Sequence, residues 1–390
     1  MIQNKQNMLQ ITRAEAEAGL KVCTGQIWRN LSSYTKQFPT SSSKASFYGV
    51  CDNSEWTSAF WTGQLWLACE FCGNAAIGKA ALAQCISFRE RLRKRIATDS
   101  HDLGFLYTLS CVAGYKLTGS EKLKETALLA ADSLRSMFRE KGEFIQSFDR
   151  PDCREEYRTI IDCLMNIPLL YWASEITGDS GYRETAVRHY RTTRKLLLRG
   201  DGSAAQAALF DIDTGEVIKC FTRQGYSDDS AWARGQAWAI YGAALSYGYT
   251  GMEECREMFR QAAAYYMEHL PQDMVPYFDL CITEGDEWPR DSSAAAIAAC
   301  GMLEMAKHLE AEEAEKYRVC AGRIVKSLYD GYMVRDYRES NGLLLHGTYC
   351  CSTPGNVIPE DNGRDECCLF GDYFFMEALT RLQRDWKPYW

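Results

Sequence analysis

Two acidic residues stand where their neighbours are apolar: Asp102 in Ser100-His101-Asp102-Leu103-Gly104-Phe105, and Asp162 in Ile161-Asp162-Cys163-Leu164-Met165-Asn166. Each comes just before an apolar run at helical spacing, with Leu106, Leu109, Val112 and Ala113 after the first and Leu169, Leu170 and Trp172 after the second. A carboxylate at the inward end of a buried helix is costly unless something compensates or uses it. Taken singly, each acid reads as a helix N-cap or a first-turn residue favoured by the helix dipole. Taken together, two such groups from successive helical units are candidates for an acid/base pair, because like charges in one buried site push their pKa values apart.

Other polar residues open apolar runs in the same way. They are Trp61, Asn166, Gln224 with Ser227-Asp228-Asp229-Ser230, Arg234-Gly235-Gln236, Asp291-Ser292-Ser293 and Gly371-Asp372-Tyr373. Asp228 as a cap and Asp229 in a first turn have a structural reading, and Asp291 and Asp372 read alike. Arg234 differs. A guanidinium inside Trp232-Ala233-Arg234-Gly235-Gln236-Ala237-Trp238 needs an anion, either a protein carboxylate or that of a ligand.

The elements that must position these groups form a repeat. An apolar helix ends in a Gly-bearing turn, and an amphipathic helix follows: 103–117 then 121–138 across Thr118-Gly119-Ser120, 166–176 then 180–198 across Thr177-Gly178-Asp179, and 237–249 then 253–270 across Thr250-Gly251-Met252. Helices at 292–309 and up to about Tyr329, one from Trp61 to Phe88 broken into a hairpin, and a closing pair of 13–34 with 372–382 bring the set to about six hairpins. Segments 142–149, 201–215 and 343–347 read as short strands or extended loops. Inner helices apolar all round, outer helices amphipathic and long loops at one end predict an all-α (α/α)6 barrel, a closed toroid forming a single domain over 1–390. Such a ring would bring the hairpin starts together at one mouth.

Composition narrows the partners. A net charge of -8 argues against nucleic acid or an anionic membrane. No run of about 18 apolar residues is present to span a bilayer. Residues 1–7 lack the apolar core of a signal peptide, so the 17 Cys read as reduced thiols of a cytoplasmic protein. Five scattered His, and Cys350-Cys351 and Cys367-Cys368 doublets without zinc spacing, predict no metal centre and no cofactor. Ten Trp and 22 Tyr supply aromatic faces suited to sugar rings as well as to a core.

The stretches quoted around Asp102, Asp162 and Gln224–Trp238, with Asp291-Ser292-Ser293-Ala294-Ala295 and Gly371-Asp372-Tyr373-Phe374-Phe375-Met376-Glu377-Ala378-Leu379, resemble the unsaturated glucuronyl hydrolases of glycoside hydrolase family 88. The resemblance runs from about Trp56 to Leu382, and Gln224–Trp238 is its most specific part. It implies an (α/α)6 barrel that hydrates the 4,5-unsaturated uronic acid left by polysaccharide lyases at the non-reducing end of glycosaminoglycan oligosaccharides. Carried over, Asp162 is the group that protonates C4 and activates water for C5, with Asp102 tuning it. His101, Asn166, Gln224 and Arg234 are substrate-binding, and Trp61, Phe148 and Trp238 are stacking walls. No metal or cofactor is needed for proton transfer in a shaped pocket.

Two departures stand out. Where the family carries an aromatic residue or His after Asp201-Gly202-Ser203, this chain has Ala204-Ala205-Gln206-Ala207. Members preferring sulfated chondroitin disaccharides carry a Ser-x-x-Ser-x-Lys cluster before the last helix, whereas Cys350-Cys351-Ser352-Thr353-Pro354-Gly355-Asn356 has no matching Lys in a loop that runs long to Glu366. The alternative readings are an unsaturated rhamnogalacturonyl hydrolase acting on pectin fragments, a helical toroid that binds sugar without turnover, and a sugar epimerase, which would need several His at the mouth.

Overall fold

A computed structural model describes residues 9–283, 287–358 and 363–390. The N-terminal segment read for a leader, residues 1–7, lies outside them, as do residues 359–362 of the long loop before the last helix. Helix α1 (Arg13–Tyr34) keeps the bounds expected from its spacing. It begins at Thr12, whose hydroxyl accepts the Glu15 amide while the Glu15 carboxylate accepts the Thr12 amide, a reciprocal capping box.

Eleven further helices follow among the described residues: α2 (Ser58–Cys72), α3 (Ala75–Arg93), α4 (Leu103–Tyr107, a π-turn at Thr108–Val112, then Ala113–Thr118), α5 (Glu121–Ser136), α6 (Pro168–Thr177), α7 (Ser180–Leu197), α8 (Ala233–Thr250), α9 (Glu253–His269), α10 (Ser292–Met305), α11 (Ala311–Ser327) and α12 (Leu369–Gln383). Gly119, Gly178 and Gly251 close α4, α6 and α8 in the left-handed conformation, as the turn residues implied.

Burial separates two rings. Every residue of α8 from Ala233 to Ser246 is buried, whereas α9 buries only the stripe Cys255, Met258, Phe259, Ala262, Ala263 and Tyr266. The even-numbered helices each pack on the next, and α12 returns to α2; α1 packs on both α2 and α12 and fills the sixth outer position. This is the (α/α)6 barrel expected from the alternation of apolar and amphipathic helices. No helix among the described residues is long and apolar enough to cross a membrane.

The strands are short and lie in the loops. β1 (Phe38–Pro39) pairs with β2 (Val50–Cys51), and β3 (Phe138–Arg139) with β4 (Phe144–Ile145). β5 (Arg158–Ile160), β6 (Ala207–Phe210) and β7 (Val217–Phe221) form an antiparallel sheet in which Ile160 faces Ala207 and Ala207 faces Phe221. Residues 343–347 form no strand; Leu344 makes one isolated bridge with Met333.

Two glycines let the inner ring close on the segment carrying Asp162. A Cβ on Gly104 would lie 2.2 Å from the Asn166 Cα, and one on Gly242 would lie 2.4 Å from the Leu164 Cβ. Helices α4 and α8 therefore both rest on the 3₁₀ turn Ile161–Met165 and the residue after it, at distances no side chain tolerates. Gly104→Ala must push α4 off Asn166, so overpacking predicts a loss of about 1–3 kcal/mol in denaturant unfolding, with reduced activity.

Candidate active site

Neither acid caps a helix. Asp102 occupies the residue before α4 but makes no side-chain cap bond. Its carboxylate instead accepts the Ser100 hydroxyl at 2.5 Å, and its amide donates back to Ser100 Oγ at 3.2 Å. Asp162 sits in the Ile161–Met165 turn, and its Oδ1 is buried without a hydrogen-bond partner among the described residues. Between them lies the buried His101 ring, whose Nε2 is 3.7 Å from Asp102 Oδ1 and 3.5 Å from Asp162 Oδ1. One donor atom from each of the three residues falls within 4.8 Å of the others.

Burial raises the Asp162 carboxyl to about 6, and the Asp102 carboxylate adds to the rise while His101 opposes it. Its side chain keeps 17% exposure, so it is sunk below the surface yet reachable from the cavity. A carboxyl of this kind is part protonated near neutrality and can both give and take a proton.

The cavity above it measures about 380 Å³, within the ~300–1,000 Å³ typical of small-ligand pockets. His101, Asp102, Asp162, Phe148, Gln224, Arg234 and Trp238 all line it, so seven of the nine residues singled out in the sequence converge as the ring topology required. A larger open groove of about 990 Å³ touches α3 and α5, but its walls are exposed charges such as Arg89, Arg93, Lys122 and Glu125, and it holds neither Asp102 nor Asp162.

Two residues expected at the site do not line the cavity. Trp61 falls within α2 and turns into the barrel wall, where its indole donates to the Tyr34 carbonyl at 2.9 Å and its ring meets Tyr34 edge-on. Trp56, ahead of α2, lines the cavity instead and donates to the Tyr349 hydroxyl at 2.8 Å. Asn166 is a brace. Its Oδ1 accepts the Phe105 amide at 2.7 Å and its Nδ2 donates to the Asp162 carbonyl at 3.1 Å, tying the helix after Asp102 to the turn carrying Asp162.

The anion required by Arg234 is Asp291, at 2.9 Å in a fully buried pair. Asp291 is also the N-cap of α10, accepting the Ser293 and Ala294 amides, so its structural reading and its pairing role coincide. Arg234 further donates to the Thr348 and Tyr349 carbonyls at 2.5 and 2.6 Å and lies against the Trp232 and Phe370 rings. These contacts leave its Nε–H and one Nη2 hydrogen without a protein acceptor among the described residues. Asp228 does not cap α8, which starts at Ala233; its Oδ1 accepts the Thr222 amide at 2.9 Å.

Sequence reasoning passed over Trp56, Tyr349 and the buried Asp279, which accepts the Tyr226 amide at 2.8 Å and the Ser230 hydroxyl at 2.6 Å and so holds the loop after Gln224. Trp56 had a legible signal, since it stands just ahead of an apolar helix as Asp102 does. Of the five His, only His101 lines the cavity. His189 is buried on α7 with Nδ1 accepting the Ile145 amide, and exposed His346 pairs with Asp365.

The Glycosyl Hydrolase Family 88 profile matches residues 31–317. Over 382 residues the chain is 42% identical to an unsaturated chondroitin disaccharide hydrolase of Streptococcus pyogenes serotype M1, covering 97% of this chain and 94% of the relative. The chain belongs to glycoside hydrolase family 88. A crystal structure of the unsaturated glucuronyl hydrolase of Streptococcus agalactiae superposes on this family 88 chain with a TM-score of 0.94 at 41% identity, covering 99% of this chain and 96% of the other. A mutant of that enzyme complexed with dGlcA-GalNAc6S superposes with a TM-score of 0.87 at 39% identity, covering 100% and 96%. Membership of the family makes the chain a glycosidase.

The causes of the Asp162 shift predict opposite responses at this family 88 site. Carbon-detected NMR titration should move the Asp162 midpoint down from about 6 in Asp102→Asn and up in His101→Ala. A midpoint unchanged in both variants would separate Asp162 electrostatically from its neighbours.

Proposed function

We propose that this chain is an unsaturated glucuronyl hydrolase, adding water across the C4=C5 bond of the unsaturated uronic acid on a glycosaminoglycan disaccharide and so releasing the second sugar. The observation that carries the reading is the Asp162 carboxyl, raised to about 6 and opposed to Asp102 and His101 at the floor of a small cavity walled by Trp56, Phe148, Trp238 and Tyr349. The relatives' printed substrates, chondroitin disaccharide and dGlcA-GalNAc6S, support the substrate class.

Protonated Asp162 gives its proton to C4, and the electrons of the enol ether leave C5 as an oxocarbenium centre shared with the ring oxygen. The carboxylate so formed takes a proton from a water as its oxygen bonds to C5. The resulting hemiketal opens to a ketone, and the hemiacetal exposed at C1 collapses to an aldehyde as the second sugar departs with its hydroxyl. One water is consumed and Asp162 ends protonated. Asp102 keeps the proton on Asp162 and favours the cationic centre. Gln224 and the open N–H groups of Arg234 are placed to hold the uronate and ring hydroxyls.

The loop polar groups bear on sulfation. The Ser352 hydroxyl donates to the Ile358 carbonyl, Thr353 to the Tyr226 carbonyl and Asn356 to the Gly225 carbonyl, and no Lys stands among residues 350–356. The proposal therefore includes turnover of the unsulfated disaccharide at least as fast as of the 6-sulfated one. A single catalytic domain is supported by the main apolar cluster, which runs from Ile11 to Trp390, and a cytoplasmic setting by thiols such as Cys23, Cys111 and Cys163 that are buried as small apolar groups without a disulfide.

The test follows loss of the ultraviolet absorbance of the conjugated enol ether with unsaturated chondroitin, hyaluronan and galacturonyl-rhamnose substrates. Activity is expected on the first two; activity on the pectin fragment alone would overturn the assignment. Asp162→Asn should lose roughly 10²–10⁴-fold in turnover while still binding the disaccharide. Because the cycle starts from the protonated acid, kcat/KM should be level below about pH 6 and fall above it.

His101, Asp102 and Asp162 also form a donor set that a divalent cation could occupy. Proton transfer needs none. Dialysis against a chelator is expected to leave kcat/KM unchanged, and a loss restored by one added divalent ion would replace the acid/base role with metal-assisted hydration.

A further inference from the structure

Gln206 does not line the cavity and is 6% exposed, yet its side chain makes four hydrogen bonds, three of them accepted by Oε1. The three-stranded sheet explains its place. β5 ends just before Asp162, β6 begins just after Gln206, and β7 ends just before Thr222, all at one edge of the sheet. The Ile161 amide donates to the Gln206 carbonyl at 2.8 Å, fixing the Ile160–Ile161 peptide at the start of the turn that carries Asp162. Gln206 Oε1 accepts the Thr222 hydroxyl at 2.8 Å, the Arg223 amide at 2.7 Å and the Gln224 amide at 2.9 Å.

The polarity of this chain of bonds is fixed at both ends. Backbone amides only donate, so the Gln206 atom facing Arg223 and Gln224 is the oxygen, and its Nε2 must point to the Gln224 side chain. There it donates to Gln224 Oε1 at 2.9 Å. That leaves Gln224 Nε2 to donate to the Tyr349 carbonyl at 3.0 Å, an atom that only accepts. The same carbonyl accepts Arg234 Nη2, and Arg234 continues to Asp291. A belt thus runs from the Ile160–Ile161 peptide, through the backbone and side chain of Gln206 and the hydrogen bonds beyond it, to the buried Arg234–Asp291 pair.

We propose that Gln206 is a positioning residue that orients the Gln224 amide with a hydrogen toward the cavity and sets the distance between the proton-donating turn and the uronate-binding side. The inference rests on the hydrolase reading above for its kinetic consequence, but not for the belt itself. An apolar side chain here leaves three donors without an acceptor and frees the Gln224 amide to flip. A carboxyl group here can accept the same three donors, and it completes the belt only while protonated, because only then does it offer a donor to Gln224 Oε1.

The test uses Gln206→Leu and the nearly isosteric Gln206→Glu, measured beside wild type from pH 5 to 8. Gln206→Leu should raise KM roughly 10- to 100-fold with a smaller change in kcat. For Gln206→Glu, the ratio of variant to wild-type kcat/KM should fall as pH rises, the Asp162 limb cancelling in the ratio. Hydrogen–deuterium exchange, which needs no substrate, should show lost protection at the Arg223 and Gln224 amides in Gln206→Leu. Kinetic constants within twofold of wild type in both variants, or unchanged exchange, would overturn the proposal. Wild type without turnover would overturn the hydrolase reading instead, and the exchange result would still decide whether the belt exists.

Discussion

A carboxyl group taken out of water beside a second carboxylate resists ionisation, and the mouth of this barrel is organised around one such group. Asp162 is largely sunk below the surface, its Oδ1 has no hydrogen bond among the described residues, and the His101 Nε2 stands within 3.7 Å of both it and Asp102. In a purely structural position this would be a defect, since a buried carboxyl oxygen without a hydrogen bond costs stability. Here the cost holds the carboxyl near 6 at the cavity, with burial as the main cause, which is the state the proposed proton transfer uses.

That electrostatic state depends on backbone placement more than on side-chain reach. Asp102 and Asp162 come from different hairpins, and their separation is set by α4 resting on Asn166 through Gly104, with Asn166 bonded to both the Phe105 amide and the Asp162 carbonyl. From the other side α8 rests on Leu164 through Gly242. The turn Ile161–Met165 is therefore clamped between two inner helices and held at its start by the carbonyl of Gln206, the residue before β6. A small shift in any of these would alter the distance between two like charges, and with it the pKa.

Much of this was legible in the sequence. The inner helices are apolar on every face because they are surrounded, and the outer ones carry a stripe because they are not, so the ring could be read from periodicity alone. The acids were visible as charges breaking apolar runs. The resemblance supplied roles that spacing could not. What stayed hidden depends on long-range pairing. The start of α8 lies at Ala233 rather than Ala237 because Arg234 and Gln236, polar in sequence, find buried partners in Asp291 and in the Gly202 and Ala262 carbonyls. Trp61 and Trp56 are equally aromatic, and only the structure shows that the one inside α2 turns into the barrel wall while the one in the turn before it faces the cavity. Gln206 looked like a gap in the family pattern, and its partners lie 16 to 18 residues away across a turn that the sequence did not fix.

Hydration and displacement at C1 release the same second sugar, so the measurement that separates them most directly is proton NMR of the reaction run in D₂O on an unsaturated chondroitin disaccharide. Delivery of the acidic proton of Asp162 to C4 predicts one deuterium at C4, on a single face, appearing at the rate of sugar release. Release of the sugar while the C4 vinyl proton persists in the uronic acid would contradict it.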